Sequence, residues 1–175
     1  MFRPNPHLRP TADKVRKAVM DMLQGRLEGA KVLDLFSGTG ALGLEALSNG
    51  ALCAIFVELD KFQARVIQEN LVKLKLNQQA EVIVSDAFKA VEKISRDGEI
   101  FDIVFVDPPY EWGERLRCLE CLASSGVVKK EGIVVLEVEI SARLPKESGS
   151  LKQIKEKKYG DTRILIYKSS GMLYC

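Results

Sequence analysis

The chain has 175 residues, 46% hydrophobic and 29% charged, with a formal net charge of +2. Such a length suits one globular domain, and so small a net charge excludes a whole-molecule field that gathers nucleic acid; any such role needs a local basic patch. No apolar stretch approaches a membrane span and MFRPNPHLRP lacks a signal peptide's hydrophobic region, so a cytoplasmic protein is expected.

Residues 1–10 hold three of the six prolines and read as an extended arm. Thr11 is placed to cap a helix over 12–24, with Asp13 in its first turn and Val15, Val19, Met22 and Leu23 on one face. KVLDLF (31–36) is a short apolar strand, and glycine-rich SGTGALG leads from it into a helix through Leu47. ALCAIFVELD (51–60) is a second strand ending in acids, before a helix over 61–74 expected to bury Phe62, Val66, Leu71 and Leu74. AEVIVSD (80–86) is the third strand and AFKAVEKI its helix. FDIVFVD (101–107) is the fourth, with its helix around Arg115–Ser124, and GIVVLEVE (132–139) is the fifth. LKQIKEKKY and TRILIYK alternate around GD like an antiparallel hairpin.

Continuously apolar strands alternating with helices mean a parallel sheet covered on both faces. The expected fold is α/β: a single doubly wound, mostly parallel, seven-stranded sheet with a C-terminal antiparallel hairpin. It forms one domain over 1–175, with an arm and helix in 1–24 and the core in 29–175. Cys118 and Cys121 make a lone CxxC on a helix, short of the four ligands of a structural zinc site, so buried free thiols and no metal are expected. His7, the sole histidine, lies in the proline-flanked tail, which leaves no histidine for acid–base work elsewhere.

Gly38, Gly40 and Gly43 spell G-x-G-x-x-G between a strand and a helix, and Glu58 lies 20 residues beyond the first glycine. This spacing lets backbone approach a ligand while the acid accepts from ribose hydroxyls. Asp34, four residues ahead of Gly38, is expected to face the same crevice. A pyrophosphate there would be repelled, whereas an ammonium or a sulfonium would be attracted. S-adenosylmethionine carries both cations, a ribose diol and no phosphate, so it suits the loop better than NAD. Asp86, at the end of the third strand, could accept from the adenine amine beside the backbone of Ala87; it could equally cap the helix that starts there.

The fourth strand ends in FVDPPYEWG, and prolines cannot extend a sheet. In an open α/β sheet ligands bind beyond the carboxyl ends of strands, at the topological switch point. If the sheet reverses between the first and fourth strands, Asp107 stands beside the glycine loop. An exocyclic base amine is a poor nucleophile whose N–H groups want acceptors in line. The Asp107 carboxylate and the Pro108 carbonyl supply them, stabilising positive charge as it develops on nitrogen. Pro109 stiffens the loop, and Tyr110 can stack on the base, worth roughly 1–3 kcal/mol in single-strand sites.

VLDLFSGTGALGLEAL, VELD, SDA and FVDPPY resemble the successive motifs of class I, Rossmann-like, S-adenosylmethionine-dependent methyltransferases. DPPY is similar to the signature of enzymes that methylate exocyclic amines. LRPTADKVRKAVMDML narrows the resemblance to the bacterial small-subunit methyltransferase D family, which modifies the exocyclic amine of a guanine in 16S ribosomal RNA. The similarity runs from about Leu8 to Tyr167. It implies that Asp34, Phe36, Gly38, Gly40, Glu58, Leu59, Asp86 and Ala87 bind the cofactor and that Asp107 to Tyr110 hold the base. Members usually carry a glycine- and basic-rich segment ahead of Arg9. Here eight residues precede it, a departure that bears on the target site and on unaided affinity for RNA.

Arg9 and Arg16, with Arg3, Lys14 and Lys17, could neutralise phosphates if the arm folds over the active-site rim; Lys152, Lys155, Lys157 and Lys158 form a second basic group. Trp112 could flank an extruded base or pack within the loop. The expected partner is 16S ribosomal RNA or a small-subunit particle, with no membrane and a monomeric protein. The alternatives are an adenine-amine DNA methyltransferase, an NAD-linked oxidoreductase, and a non-catalytic RNA-binding protein on the same fold.

Overall fold

The computed structural model describes residues 10–108 and 112–171, with backbone alone at 10–12 and 112. In chain order the elements are α1 (Pro10–Met22), β1 (Lys31–Leu35), α2 (Ala41–Ser48), β2 (Cys53–Glu58) and α3 (Lys61–Lys73). After a single 3₁₀ turn come β3 (Ala80–Val84), α4 (Ala87–Arg96), β4 (Phe101–Val106), α5 (Trp112–Ser125) and β5 (Val128–Glu139). β6 (Glu147–Ser148), β7 (Leu151–Tyr159) and β8 (Thr162–Ser169) end the fold.

The strands form one sheet in the order β3-β2-β1-β4-β5-β8-β7-β6. β1 pairs in parallel with both β2 and β4, so the chain winds outward in one direction through β3 and in the other through β5. The switch point therefore falls between β1 and β4, which meets the condition for placing Asp107 beside the glycine loop. β8 then pairs antiparallel with β5 and with β7. Two apolar layers cover the sheet. Leu33, Val104 and Leu136 pack under α4 and α5 on one face; Val32, Phe105 and Val135 pack under α1, α2 and α3 on the other.

Four expectations need correction. The sheet has eight strands among the described residues, not seven. The eighth, β6, is a two-residue edge pairing of Glu147 with Lys152 and Ser148 with Leu151, too short to leave a periodic signal. Helix α1 starts at Pro10, ahead of the expected cap Thr11, because proline's fixed φ and missing donor suit a helix's first turn. On α3 the buried side is Ala64, Ile67 and Leu71, whereas Phe62 and Leu74 are exposed: Phe62 lies off that stripe, and Leu74, though in register with it, is the cap residue just past the helix end. Strand β5 begins at Val128 rather than 132. A bulge shifts the register between the Phe101–Val128 and Ile103–Ile133 pairs, and the polar residues within it break the apolar run.

Candidate active site

At the end of β1 the chain leaves the sheet through Phe36, held at φ 60°. A non-glycine residue there is strained and persists only where its surroundings impose it. Ser37 does so: its Oγ donates to the carbonyl of Asp34 at 2.6 Å and its backbone N–H to that of Val57 at 3.0 Å. The loop is thus tied to β1 and β2 before α2 begins. Gly43 is required by close approach, because a Cβ there would come within 2.3 Å of the Phe56 ring.

The carboxylate of Glu58 braces the loop from the end of β2. Its Oε2 accepts from the Gly38 N–H at 2.7 Å and its Oε1 from the Asp60 N–H at 2.9 Å. Asp60 caps α3 by accepting from Phe62 and Gln63. Asp86 caps α4 in the same way, one oxygen accepting from Phe88 and Lys89. The cap reading of Asp86 is therefore present, and the residue also faces the crevice.

These strand ends enclose a crevice of about 900 Å³. Phe36, Gly38, Glu58 and Leu59 line it on one side of the switch point, Asp86 and Ala87 beyond them, and Asp107 and Pro108 on the other side. Gly38 and Asp107, 69 residues apart in sequence, thus share one cavity. Gly40 and Asp34 are buried beneath its wall. Asp34 was expected to face the crevice; it is 3% exposed, and its Oδ2 accepts from the Gly43 N–H at 2.9 Å. Burial pushes its carboxyl up to about 8, despite that hydrogen bond, with smaller upward contributions from Asp107 and Glu58. Pro109, Tyr110 and Arg9 lie outside the described residues, as do His7 and the side chain of Trp112. Arg16 is engaged within the fold, with Asp13 at 3.0 Å and Glu45 at 3.8 Å.

The crevice holds residues that the sequence reading missed. Glu114 and Arg115 from α5 and Glu139 from the end of β5 line it as well. Arg115 is 6% exposed and stands three and four residues before buried Cys118 and Leu119. A guanidinium on the apolar stripe of a helix was the available signal. Of the described lining residues, Glu58, Asp60, Asp86, Asp107, Glu114 and Glu139 are acidic and Arg115 alone is basic. Desolvation raises the carboxyl of Asp107 and the charge of Arg115 opposes the rise. Asp107 stays accessible from the crevice, so its rise is smaller than that of sealed Asp34. Glu137, on β5, is also raised, first by desolvation and then by the negative charge of Asp107. Cys118 and Cys121 are free thiols, as expected, and burial pushes Cys118 up to about 12.

A doubly wound sheet that carries a β1 loop, acids closing β2 and β3, and an antiparallel β8 beside β5 has the fold of the class I methyltransferases. Magnesium protoporphyrin IX methyltransferase of Synechocystis PCC 6803 shares that fold, with a TM-score of 0.73 at 17% identity over 97% of this chain and 87% of its own. The chain belongs to the family described as conserved hypothetical protein 95, whose model matches residues 1–168. It is 34% identical over 164 residues to ribosomal RNA small subunit methyltransferase D of Escherichia coli (strain K12), covering 94% of this chain and 81% of that protein. The solved structure of Escherichia coli yhhF superposes with a TM-score of 0.85 at 31% identity, over 97% of this chain and 92% of its own.

Proposed function

We propose that this protein transfers a methyl group from S-adenosylmethionine to the exocyclic amine, N2, of a guanine in 16S ribosomal RNA. The observation that carries the reading is the shared crevice, with the Gly38–Glu58 loop on one side of the β1/β4 switch point and Asp107–Pro108 on the other. The kinship with ribosomal RNA small subunit methyltransferase D supports the choice of RNA.

The cavity fits the cofactor by charge. Among the described residues, six lining carboxylates against one guanidinium attract a ligand bearing ammonium and sulfonium and repel a pyrophosphate, which weighs against NAD. Glu58 is held by two backbone N–H groups, and each of its oxygens keeps a lone pair for a ribose hydroxyl. When bound, S-adenosylmethionine supplies an electrophilic methyl group whose bonding pair stays on sulfur as the amine lone pair takes the carbon.

The chain's own residues prepare and complete that transfer. Asp107 and the Pro108 carbonyl accept the amine's N–H donors and orient its lone pair. Their negative charge and dipole stabilise the positive charge that grows on nitrogen. The methylated nitrogen then loses one proton to the Asp107 carboxylate, which releases it to water. Asp107 must therefore enter the reaction ionised. The acidic lining would also hold a positively charged donor more tightly than its neutral thioether product, which would favour turnover.

Incubation with tritium-labelled cofactor and either 16S RNA or small-subunit particles, followed by mass-spectrometric mapping, tests the proposal. Label on the N2 of a guanine is expected. Label only on duplex DNA, or none on any nucleic acid despite cofactor binding, overturns it.

A further inference from the structure

Arg115 is expensive to keep where it is. Its side chain is 8% exposed on the apolar face of α5, and charges removed from water need compensation. Yet its one ion pair among the described residues is long, Nη2 to Glu139 Oε1 at 3.6 Å, and the side chain of Glu139 is 58% exposed. Its Nε is buried with no hydrogen-bond partner among the described residues. A guanidinium kept for stability would be expected to have its donors satisfied. Arg115 and Asp107 line the same crevice, and the charge of the guanidinium acts on that carboxylate.

The sheet places a second carboxylate against Asp107. Parallel pairing of Val106 with Leu136 sets the next residues side by side, Asp107 just past the end of β4 and Glu137 within β5. Neighbouring strands lie about 4.8 Å apart, and two carboxylates at such spacing compete for a proton. Among the described residues, the other charged groups that share the crevice with Asp107 or couple to it are Asp34 from β1, Glu58 from β2, Asp60 after β2, Asp86 after β3, Glu114 from α5 and Glu139 from β5, all acids. Among the described residues lining the crevice, Arg115 is the single opposing charge.

We propose that Arg115 is a positioning residue for methyl transfer, its guanidinium holding Asp107 as the charged acceptor against the competing carboxylate of Glu137. The inference rests on the role given to Asp107 above. The charge of Arg115 lowers the proton affinity of both carboxyls, which accords with it. Without the guanidinium the pair would share a proton near neutral pH, and the acceptor for the amine would be lost for part of the time.

The test combines the titration of the Asp107 side-chain carboxyl carbon, followed by ¹³C NMR on the protein alone, with the pH dependence of methyl transfer. The variants are Arg115→Met, Arg115→Lys and the double variant Arg115→Met with Glu137→Gln; thermal melts confirm that each is folded. In Arg115→Met the Asp107 midpoint and the acidic limb of the rate profile should both move up by about one pH unit. Arg115→Lys should restore both, and the double variant should move them back down, because the competing charge has gone. A purely structural arginine would lower rates without moving either midpoint. An Asp107 midpoint unchanged in Arg115→Met, or unmoved on adding Glu137→Gln, overturns the inference. The expected NMR shifts with no methyl transfer by the wild-type protein would support the electrostatic role and overturn the functional reading instead.

Discussion

Glu58, the last residue of β2, accepts the backbone N–H of Gly38 at 2.7 Å and so locks the loop after β1 to the neighbouring strand. The same carboxylate holds the Asp60 N–H at the start of α3. One side chain therefore shapes two walls of the crevice before any ligand arrives. Hydrogen bonds to a charged acceptor are worth about 1.5–3 kcal/mol each. Glu58→Ala should weaken S-adenosylmethionine binding by about tenfold or more, equivalent to at least 1.4 kcal/mol. Glu58→Gln, which can retain only one acceptor oxygen, should fall between. Isothermal titration calorimetry decides, and equal affinities in all three proteins would remove Glu58 from the cofactor's site.

Two glycines of the loop should fail for different reasons. Gly43→Ala drives a Cβ to 2.3 Å from the Phe56 ring and 3.0 Å from Asp34 Oδ2, and overpacking of this kind costs about 1–3 kcal/mol. Gly38→Ala meets nothing within 4 Å, but the residue's φ of 54° should cost about 1–2 kcal/mol. Urea denaturation should therefore show both variants destabilised. Repacking through Phe56→Leu should relieve Gly43→Ala alone.

Asp34 makes stability depend on pH in a direction unusual for an aspartate. Burial pushes its carboxyl up to about 8 in the fold, against an ordinary 3.8 when unfolded, so between those values the folded state holds the extra proton. Stability from this group is full below the lower value and declines as pH rises through about 8. Asp34→Asn keeps an acceptor for Gly43 and carries no charge. Its urea midpoint should change less than the wild type's between pH 5 and pH 8. A wild-type midpoint that rises across that interval in step with the variant's contradicts this assignment.

Asp107→Ala should separate chemistry from cofactor binding. Loss of one preorganised group that stabilises developing charge typically costs 10²–10³ in rate, roughly 2.7–4 kcal/mol. Single-turnover methyl transfer should drop by about that much, while calorimetric affinity for S-adenosylmethionine stays within a small factor. A variant that still methylates RNA at the wild-type rate would assign Asp107 a merely structural place at the end of β4.

Much of this architecture was legible in the chain itself. Apolar strands alternating with helices are a local property, and so is the punctuation at Gly38 and Asp107 where strands give way to loops. The misses were of another kind. β6 is too short to carry a period, the bulge before Gly132 hid the start of β5, and Phe62 looked buried because hydrophobicity alone does not say which stripe of α3 meets the sheet. Arg115 and Glu139 gave little warning, since a charge on a helix or at a strand end is ordinary until something packs against it.

By itself the sequence determined which segments become strands, which loops leave them, and that an acid-bearing loop and a glycine loop both follow buried strands; hydrophobic periodicity and turn chemistry act over a few residues and can be read there. Only the tertiary structure decided that β4 lies against β1, so that Asp107 shares a crevice with Gly38, and that β5 brings Glu137 beside it with Arg115 opposing from α5. Electrostatic balance in a cleft depends on distances between residues far apart in the chain, and those distances exist only once the sheet has closed its register.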